Sequence, residues 1–366
     1  MKSLIKVSLW IALVVFYGLA LASSVHAVEP IDFSKPLAMI VSGRPAPGCS
    51  ASYGSELNTT QNASAPAGIT EQGNTDSWTN SGCVTFDHNG TAQSGSYAVQ
   101  CVADGANDKA SYALPALSAA TLYRLSFYYR HNGTGGAWSI FTGAAAGYST
   151  NKIVPTTTTT DYTNHTLFFL TNAVSLAGMT HLVASEESAT DDGGIYIDSI
   201  SVKAATLCFG SELHDDANAA SLASEADATT SFTSVGSGTL ASSNADPADG
   251  TYHLTFTATA NEDRFYKDLL TDFSLEDGKK YMFRFKAKYI SGDVAYCQLS
   301  YGTTSGGYTY QFSITSGVSS YVEYGASFVY STATSAFRYF KCVEGGVANN
   351  ASFKIDSLSV KEITAE

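Results

Sequence analysis

Two aspartates sit inside apolar strand-like segments where a charge has no obvious place. Asp198 lies in GGIYIDSISVK, residues 193–203, and Asp356 in ASFKIDSLSVK, residues 351–361. Ile195 and Ile197 share one face of an extended chain, and Ile200 and Val202 share a face of the opposite parity. The second copy repeats this with Phe353 and Ile355, then Leu358 and Val360. A slip of one residue at the Asp-Ser step is what a β-bulge produces, and a bulge re-aims side chains. A buried carboxylate without a partner is costly, so each Asp is expected to meet unpaired backbone N–H groups or a cation. A second acid recurs at a fixed place: Glu71 precedes Trp78 by seven residues, and Glu225 precedes Phe232 by seven. Calcium takes carboxylate and backbone oxygens. One expectation is therefore a structural calcium held by Glu71 with Asp198 and by Glu225 with Asp356. The other is that the glutamates are solvated and each Asp caps a turn.

Little else has catalytic spacing. The histidines His88, His131, His165, His181, His214 and His253 form no HExxH motif, and there is no GxSxG elbow. His88 and His131 adjoin Asn-Gly turns, where exposure is expected. Asp191 and Asp192, in TDDGG, read as a turn rather than a glycosidase pair. No CxxC or His/Cys cluster at zinc spacing occurs.

The elements that position these residues come as a repeat. CSASYGSEL and CFGSEL, EQGNTDSW and EADATTSF, SGSYAVQC and DGTYHLTF, YRLSFYYR and YMFRFKAK, and the two closing strands recur at a spacing of roughly 155 residues. Strict alternation, as in Tyr123, Leu125, Phe127 and Tyr129 against Arg124, Ser126, Tyr128 and Arg130, marks half-buried antiparallel strands. No helical periodicity is convincing after the N-terminal segment. Many short strands in a module of this size predict an all-β protein of two tandem jelly-roll β-sandwiches. The predicted organisation is a signal peptide over 1–27, an extended leader over 28–48, module 1 over 49–205 and module 2 over 206–366. The run Thr156 to Thr160 reads as a strand or loop edge.

The signal rests on Lys2 and Lys6 ahead of an apolar run, with the small residues Val25 and Ala27 at cleavage spacing. An uncleaved anchor is the alternative, and no second apolar stretch of that length follows. Cleavage leaves 18 basic and 33 acidic residues, a net charge of −15. Nucleic acid is a poor partner for such a surface. Export also lets disulfides persist, and all six cysteines follow the signal. Cys83 and Cys101 flank a hairpin. Cys297 shares parity with Leu299, and Cys342 with Phe340, so these two face the core and pair. Cys49 and Cys208 remain, to staple the ends of module 1.

The order of GSEL, an acid before Trp or Phe, SGSY, a Y-x-L-S-F strand and a closing IYIDSISVK resembles carbohydrate-binding modules of the family 4/9/22 type, jelly rolls of the galactose-binding-like group. The likeness spans both modules, and similar modules occur in phage structural and bacterial surface proteins. It implies a structural calcium on the Glu and Asp positions given above, although the family's N-G-x-F-E opening is absent from both copies. Sugars stack on exposed aromatic rings. The aromatics placed to serve are Tyr128 and Tyr196 on the face opposite the core, Trp138 after a Gly-rich turn, and Tyr148 in the next loop. In module 2, Lys286 and Lys354 stand where module 1 has Tyr128 and Tyr196, and Tyr301, Tyr308 and Tyr310 take the ligand-binding role. Trp78 reads as core because Phe232 replaces it. The expected function is a secreted, cell-surface or periplasmic protein that binds polysaccharide or glycan without catalysis and meets membrane only through its signal peptide. The alternatives are a structural or adhesive assembly protein, of surface or virion type, and a polysaccharide-cleaving enzyme.

Overall fold

The computed structural model describes residues 49–58, 78–89, 92–93, 98–105, 107–132, 137–143, 151–157, 159–172, 179–187, 193–213, 232–249, 252–268, 273, 275–301, 308–330, 337–345 and 350–366. For residues 88–89, 155–157, 301, 308–311 and 337–338 only the backbone is described. The signal and leader assigned to 1–48, together with Glu71, Tyr148, Asp191, Asp192, His214 and Glu225, lie outside the described residues.

The described chain is all-β. Module 1 contributes β1 (Ser52–Glu56), β2 (Trp78–Ser81), β3 (Thr85–Asn89), β4 (Ala98–Val102), β5 (Lys109–Ala113), β6 (Leu122–His131), β7 (Trp138–Gly143), β8 (Asn151–Thr157), β9 (Thr163–Leu170), β10 (His181–Glu186) and β11 (Gly194–Thr206). Module 2 repeats the series as β12 (Cys208–Glu212), β13 (Thr233–Val235), β14 (Thr239–Ser243), β15 (His253–Thr257), β16 (Arg264–Asp268), β17 (Lys280–Ser291), β18 (Ala295–Tyr301), β19 (Tyr308–Ile314), β20 (Val322–Val329), β21 (Phe337–Glu344) and β22 (Ser352–Ala365).

Each module has its own five-stranded sheet, β2-β5-β10-β7-β8 in the first and β13-β16-β21-β18-β19 in the second. Their partner layers are not separate. They merge into one twelve-stranded sheet, β14-β15-β22-β17-β20-β9-β6-β11-β4-β3, with β1 added to β11 and β12 to β22. The order is a palindrome. The equivalent edge strands β9 and β20 pair antiparallel, Leu170 opposite Gly325 and Phe169 opposite Ala326. Beyond that short ladder the Phe168 N–H donates to Ser327 Oγ at 2.7 Å. Pairing the two edges removes exposed strand edges that would otherwise invite association.

The period-two alternation decides which face is inside. Tyr123, Leu125, Phe127 and Tyr129 are buried, as are Tyr281, Phe283, Phe285 and Ala287. Rings cross between layers in both modules, Trp78 to Phe86 at 6.3 Å and Phe283 to Phe340 at 4.8 Å. Inner residues of both modules belong to a single buried cluster. A smaller cluster of Phe168, Leu170, Leu207, Met282 and Ile363 seals the seam on the outer face. The two sandwiches therefore share a core rather than hanging as independent beads.

The three disulfides expected from parity and elimination are present: Cys49–Cys208, Cys83–Cys101 and Cys297–Cys342. One expectation about exposure fails. His131 is 1 % exposed, because it falls on the inward-facing row of β6 with Tyr123, Leu125, Phe127 and Tyr129.

Candidate binding surface

Both aspartates sit on bulges. The register of β11 against β6 shifts between Asp198 and Ser201, and that of β22 against β17 shifts at the equivalent place. Ser199 and Ser357 take the left-handed conformation there, with φ of 54° and 52°. The bulge has a topological cause. Along one edge β11 pairs first with β4 (Gly194 to Ile197), then with β1 (Lys203 to Thr206). Likewise β22 pairs first with β15, then with β12. At the change of partner, backbone N–H groups lose their ladder acceptors and need others.

Side-chain carboxylates supply them. Asp356 Oδ2 accepts from the N–H groups of Ala248 at 2.6 Å and Asp249 at 3.1 Å, and its Oδ1 from the Ser357 N–H at 2.6 Å. Asp198 Oδ2 accepts from the Gln93 N–H at 2.8 Å, and its Oδ1 from the Ser199 hydroxyl at 3.1 Å. From the other side comes the glutamate of GSEL, to which sequence analysis assigned no role. Glu56 accepts from the Val202 N–H at 2.7 Å and the Ser201 hydroxyl at 2.5 Å. Glu212 does the same with Val360 at 2.7 Å and Ser359 at 2.6 Å. The recurrence of GSEL with DSxSVK is thus one structural device used twice, and the conjunction of the two motifs was the signal that could have revealed it.

Of the two roles open to the aspartates, the structure provides the backbone N–H groups. Donor hydrogens reach both carboxylates. No group of three His, Cys, Asp or Glu side chains fit for a metal occurs among the described residues. The glutamate half of the calcium expectation, Glu71 and Glu225, lies outside them.

A second pair of acids buttresses the loops at the other end. Asp108 Oδ2 accepts from the N–H groups of Asp104 and Gly105, and Asp263 from those of Ser237, Thr259 and Ala260. Burial raises the Asp263 pKa, but the three backbone donors together outweigh it and hold the carboxyl below its ordinary value. Both carboxylates lie tight against glycines with positive φ, Gly82 at 108° and Gly236 at 99°.

The outer face of the large sheet carries the aromatic residues in module 1. Asp87, Gln100, Tyr196 and Arg130 follow one another across β3, β4, β11 and β6. The Arg130 guanidinium lies 4.3 Å from the ring centre of Tyr196 and 5.3 Å from that of Tyr162. Burial, above all, pushes the Tyr162 hydroxyl up to about 12, Arg130 lowering it and Asp198 raising it, so Tyr162 is a neutral donor at any physiological pH. Tyr128, half-buried, lies between Asp198 on β11 and Asn164 on β9.

These positions correct two expectations. Trp138 is fully buried and belongs to the core cluster, because the strand β7 it opens is buried at every position. It offers no ring to a ligand. Tyr196 is 7 % exposed and lies beneath Arg130, so it is a base plate rather than an open platform. Tyr128 keeps the outward position that parity assigns it. Arg130 and Tyr162 were missed, although Arg130 has the same parity as Tyr128. In module 2, Tyr301 is opposite Phe337, Tyr308 opposite Ser300 and Tyr310 opposite Leu299; their side chains lie outside the description.

Module 2 builds its outer face differently. Lys286 pairs with Asp249 at 2.9 Å, and Asp246 bridges Lys288 at 2.8 Å and Lys354 at 3.3 Å. Hydrogen bonds from Lys288 and Lys354 hold the Asp246 carboxyl below its ordinary pKa, and one from Lys286 does so for Asp249. The Tyr321 hydroxyl donates to the Asp246 carbonyl at 3.1 Å. The loop before β15 is thereby clamped across the face that in module 1 carries Tyr128, Arg130 and Tyr196.

No protein-family description and no curated protein matches this chain. Solved structures similar to it include carbohydrate-binding modules. The N-terminal CBM22 tandem of Paenibacillus barcinonensis Xyn10C is 13 % identical, with 86 % of this chain and 98 % of that chain covered and a TM-score of 0.30. The C-terminal family 22 carbohydrate-binding module of Clostridium thermocellum Xyn10B is 17 % identical over 37 % of this chain and 87 % of that one, with a TM-score of 0.28. A CBM4 structure is 13 % identical over 35 % of this chain and 95 % of that one, with a TM-score of 0.26.

Proposed function

We propose that this protein binds glycan without cleaving it, through the outer face of module 1. The observation that carries this is the row Gln100–Tyr196–Arg130–Tyr162 beside half-buried Tyr128. Tyrosine rings present apolar faces to sugar C–H groups, and the carboxamide, guanidinium and phenol groups fix hydroxyl orientation. Arg130 is pre-organised between two rings, which lowers the ordering cost of using it. The carboxylates next to this face, Asp198 and Glu56, already accept backbone donors, an arrangement that suits binding better than acid–base chemistry. Three disulfides fit residence in an oxidising compartment.

The test is a glycan array with the full mature chain, followed by calorimetry on the best ligand. Tyr128→Ala and Tyr162→Ala should each weaken binding about tenfold, equivalent to about 1.4 kcal/mol. Retention of no glycan by the wild-type chain, or affinity indifferent to both substitutions, would reject this face. Reducing-sugar release from the retained polysaccharide would restore the enzyme reading.

A second role suits module 2. Its ion-paired outer face and its share of the common core favour a structural contribution, holding module 1 in place, over a duplicate of the module 1 site.

A further inference from the structure

We infer a second binding site, at the seam between the modules, for a carboxylate-bearing saccharide. A cavity of about 480 Å³ opens on the outer face of the large sheet where β9 meets β20. Its lining comes from both modules: Tyr53, Arg124, Asn164 and Thr166 from the first, and Lys280 and Glu366 from the second. Neither module alone contains it, and Asn164 in its lining lies opposite Tyr128, at the border of the module 1 face.

The duplication supplies an internal comparison. A smaller cavity of about 200 Å³ lies on module 2, lined by Phe209, Met282, Arg284 and Glu323 among others. Phe209 and Tyr53 hold the same place in the repeat, each five residues or fewer along its CxxxYGSEL or CFGSEL segment. A guanidinium lies over each ring, Arg284 at 5.4 Å from Phe209 and Arg124 at 5.5 Å from Tyr53. In the module 2 cavity that guanidinium has its own counter-ion, Glu323, at 3.6 Å. Glu323 lies opposite Lys286 on β17, and the residue at the matching place, opposite Tyr128 on β6, is Asn164. The two guanidiniums come from different places in the repeat, Arg124 aligning with Met282 and Arg284 with Ser126, but where the module 2 cavity has an acid the seam cavity has a neutral amide.

Among the described residues Arg124 has hydroxyl partners and no ion-paired carboxylate. It donates to Ser126 Oγ at 2.9 Å and Thr166 Oγ1 at 3.5 Å. Lys280 contributes a second positive charge, countered by Glu366 at 2.7 Å. In a chain of net charge −13, Arg124 is a guanidinium fixed over a ring without an ion-paired acid among the described residues. Its planar fork matches a carboxylate in bidentate fashion, the Tyr53 ring is 38 % exposed beside it, and Asn164 and Thr166 offer hydroxyl-directed polar groups. The cavity is of a size to take one or two sugar rings. A uronic acid combines the carboxylate, the stacking face and the hydroxyls.

The experiment is calorimetry of the full chain with tri-galacturonate, with galactose and acetate as separate arms. Tri-galacturonate should bind, with affinity falling as salt rises, and neither galactose nor acetate alone should match it. Arg124→Gln should weaken binding at least tenfold. Asn164→Glu, which installs the acid that module 2 carries, should do the same while leaving the melting temperature unchanged. Arg284→Gln should leave uronate binding intact, which separates this site from the module 2 cavity. Absence of tri-galacturonate binding, equal binding of acetate, or binding indifferent to both Arg124→Gln and Asn164→Glu would overturn the inference.

Discussion

Replacing Asp356 tests the role given to the closing strand. Its carboxylate is 2 % exposed and accepts three backbone N–H groups. Alanine would leave those donors without an acceptor in a buried bulge. A hydrogen bond to a charged group contributes about 1.5–3 kcal/mol, and the three share one carboxylate, so their sum is not additive. A total cost of about 3–5 kcal/mol is expected for Asp356→Ala. Asparagine keeps one acceptor oxygen but turns an NH₂ toward a donor, and should cost about 2–3 kcal/mol. At about 2–4 °C per kcal/mol for a unit of this size, the alanine variant should melt roughly 10 °C lower. Urea denaturation followed by tryptophan fluorescence gives the measurement an additional reach. Trp78 and Trp138 both lie in module 1, and the only other tryptophan is Trp10, so module 2 reports only through its neighbour. With one core spanning both modules, Asp356→Ala should shift the tryptophan transition together with far-ultraviolet dichroism. A cost under about 1 kcal/mol for alanine, where a lost buried acceptor predicts more, would refute the amide-acceptor role.

Three further outcomes follow from the same geometry. Gly236→Ala should lower the melting temperature, since φ is +99° and a Cβ would come within 2.0 Å of Asp263 Oδ1; a cost of about 1–3 kcal/mol, measured by urea titration, is expected from strain of this kind. Removing Cys49–Cys208, which closes 159 residues, should destabilise more than removing Cys83–Cys101, which closes 18; loop entropy gives about 5 against about 3 kcal/mol, and equal costs in paired Cys→Ser denaturation curves would contradict it. The His165 pKa is lowered to about 4, chiefly by burial and secondarily by Lys280, against 6.5 for a free imidazole. The unfolded chain therefore binds a proton that the folded chain refuses, and the stability present above pH 6.5 is lost as pH falls toward 4; His165→Gln should flatten the melting temperature over that window.

Much of this fold is written locally. Alternation in β6 and β17 assigns the inner and outer faces, and the same rule places Cys297 and Cys342 toward the core. The parity break at Asp198 and Asp356 announces a bulge because period two admits no slip without one. The repeat is visible because each copy needs the same strands, turns and carboxylates to close its sandwich. Trp138 shows the limit of that logic: alternation cannot tell an outer face open to solvent from one that is covered, so a tryptophan after a Gly-rich turn resembles a platform until its neighbours are placed.

The sequence by itself thus determined the all-β class, the duplication, the two bulges and the cysteine pairs, since each depends on spacing along one chain. Only the tertiary structure decided what the acids do and where ligands have room. Two of the three amide partners of Asp356 lie more than a hundred residues away, and Glu56 reaches Val202 across 146 positions. The joining of β9 to β20 leaves still less trace, because backbone pairing between two edge strands needs no particular side chain. That seam, and the cavity beside it, exist only once two distant segments have been brought edge to edge.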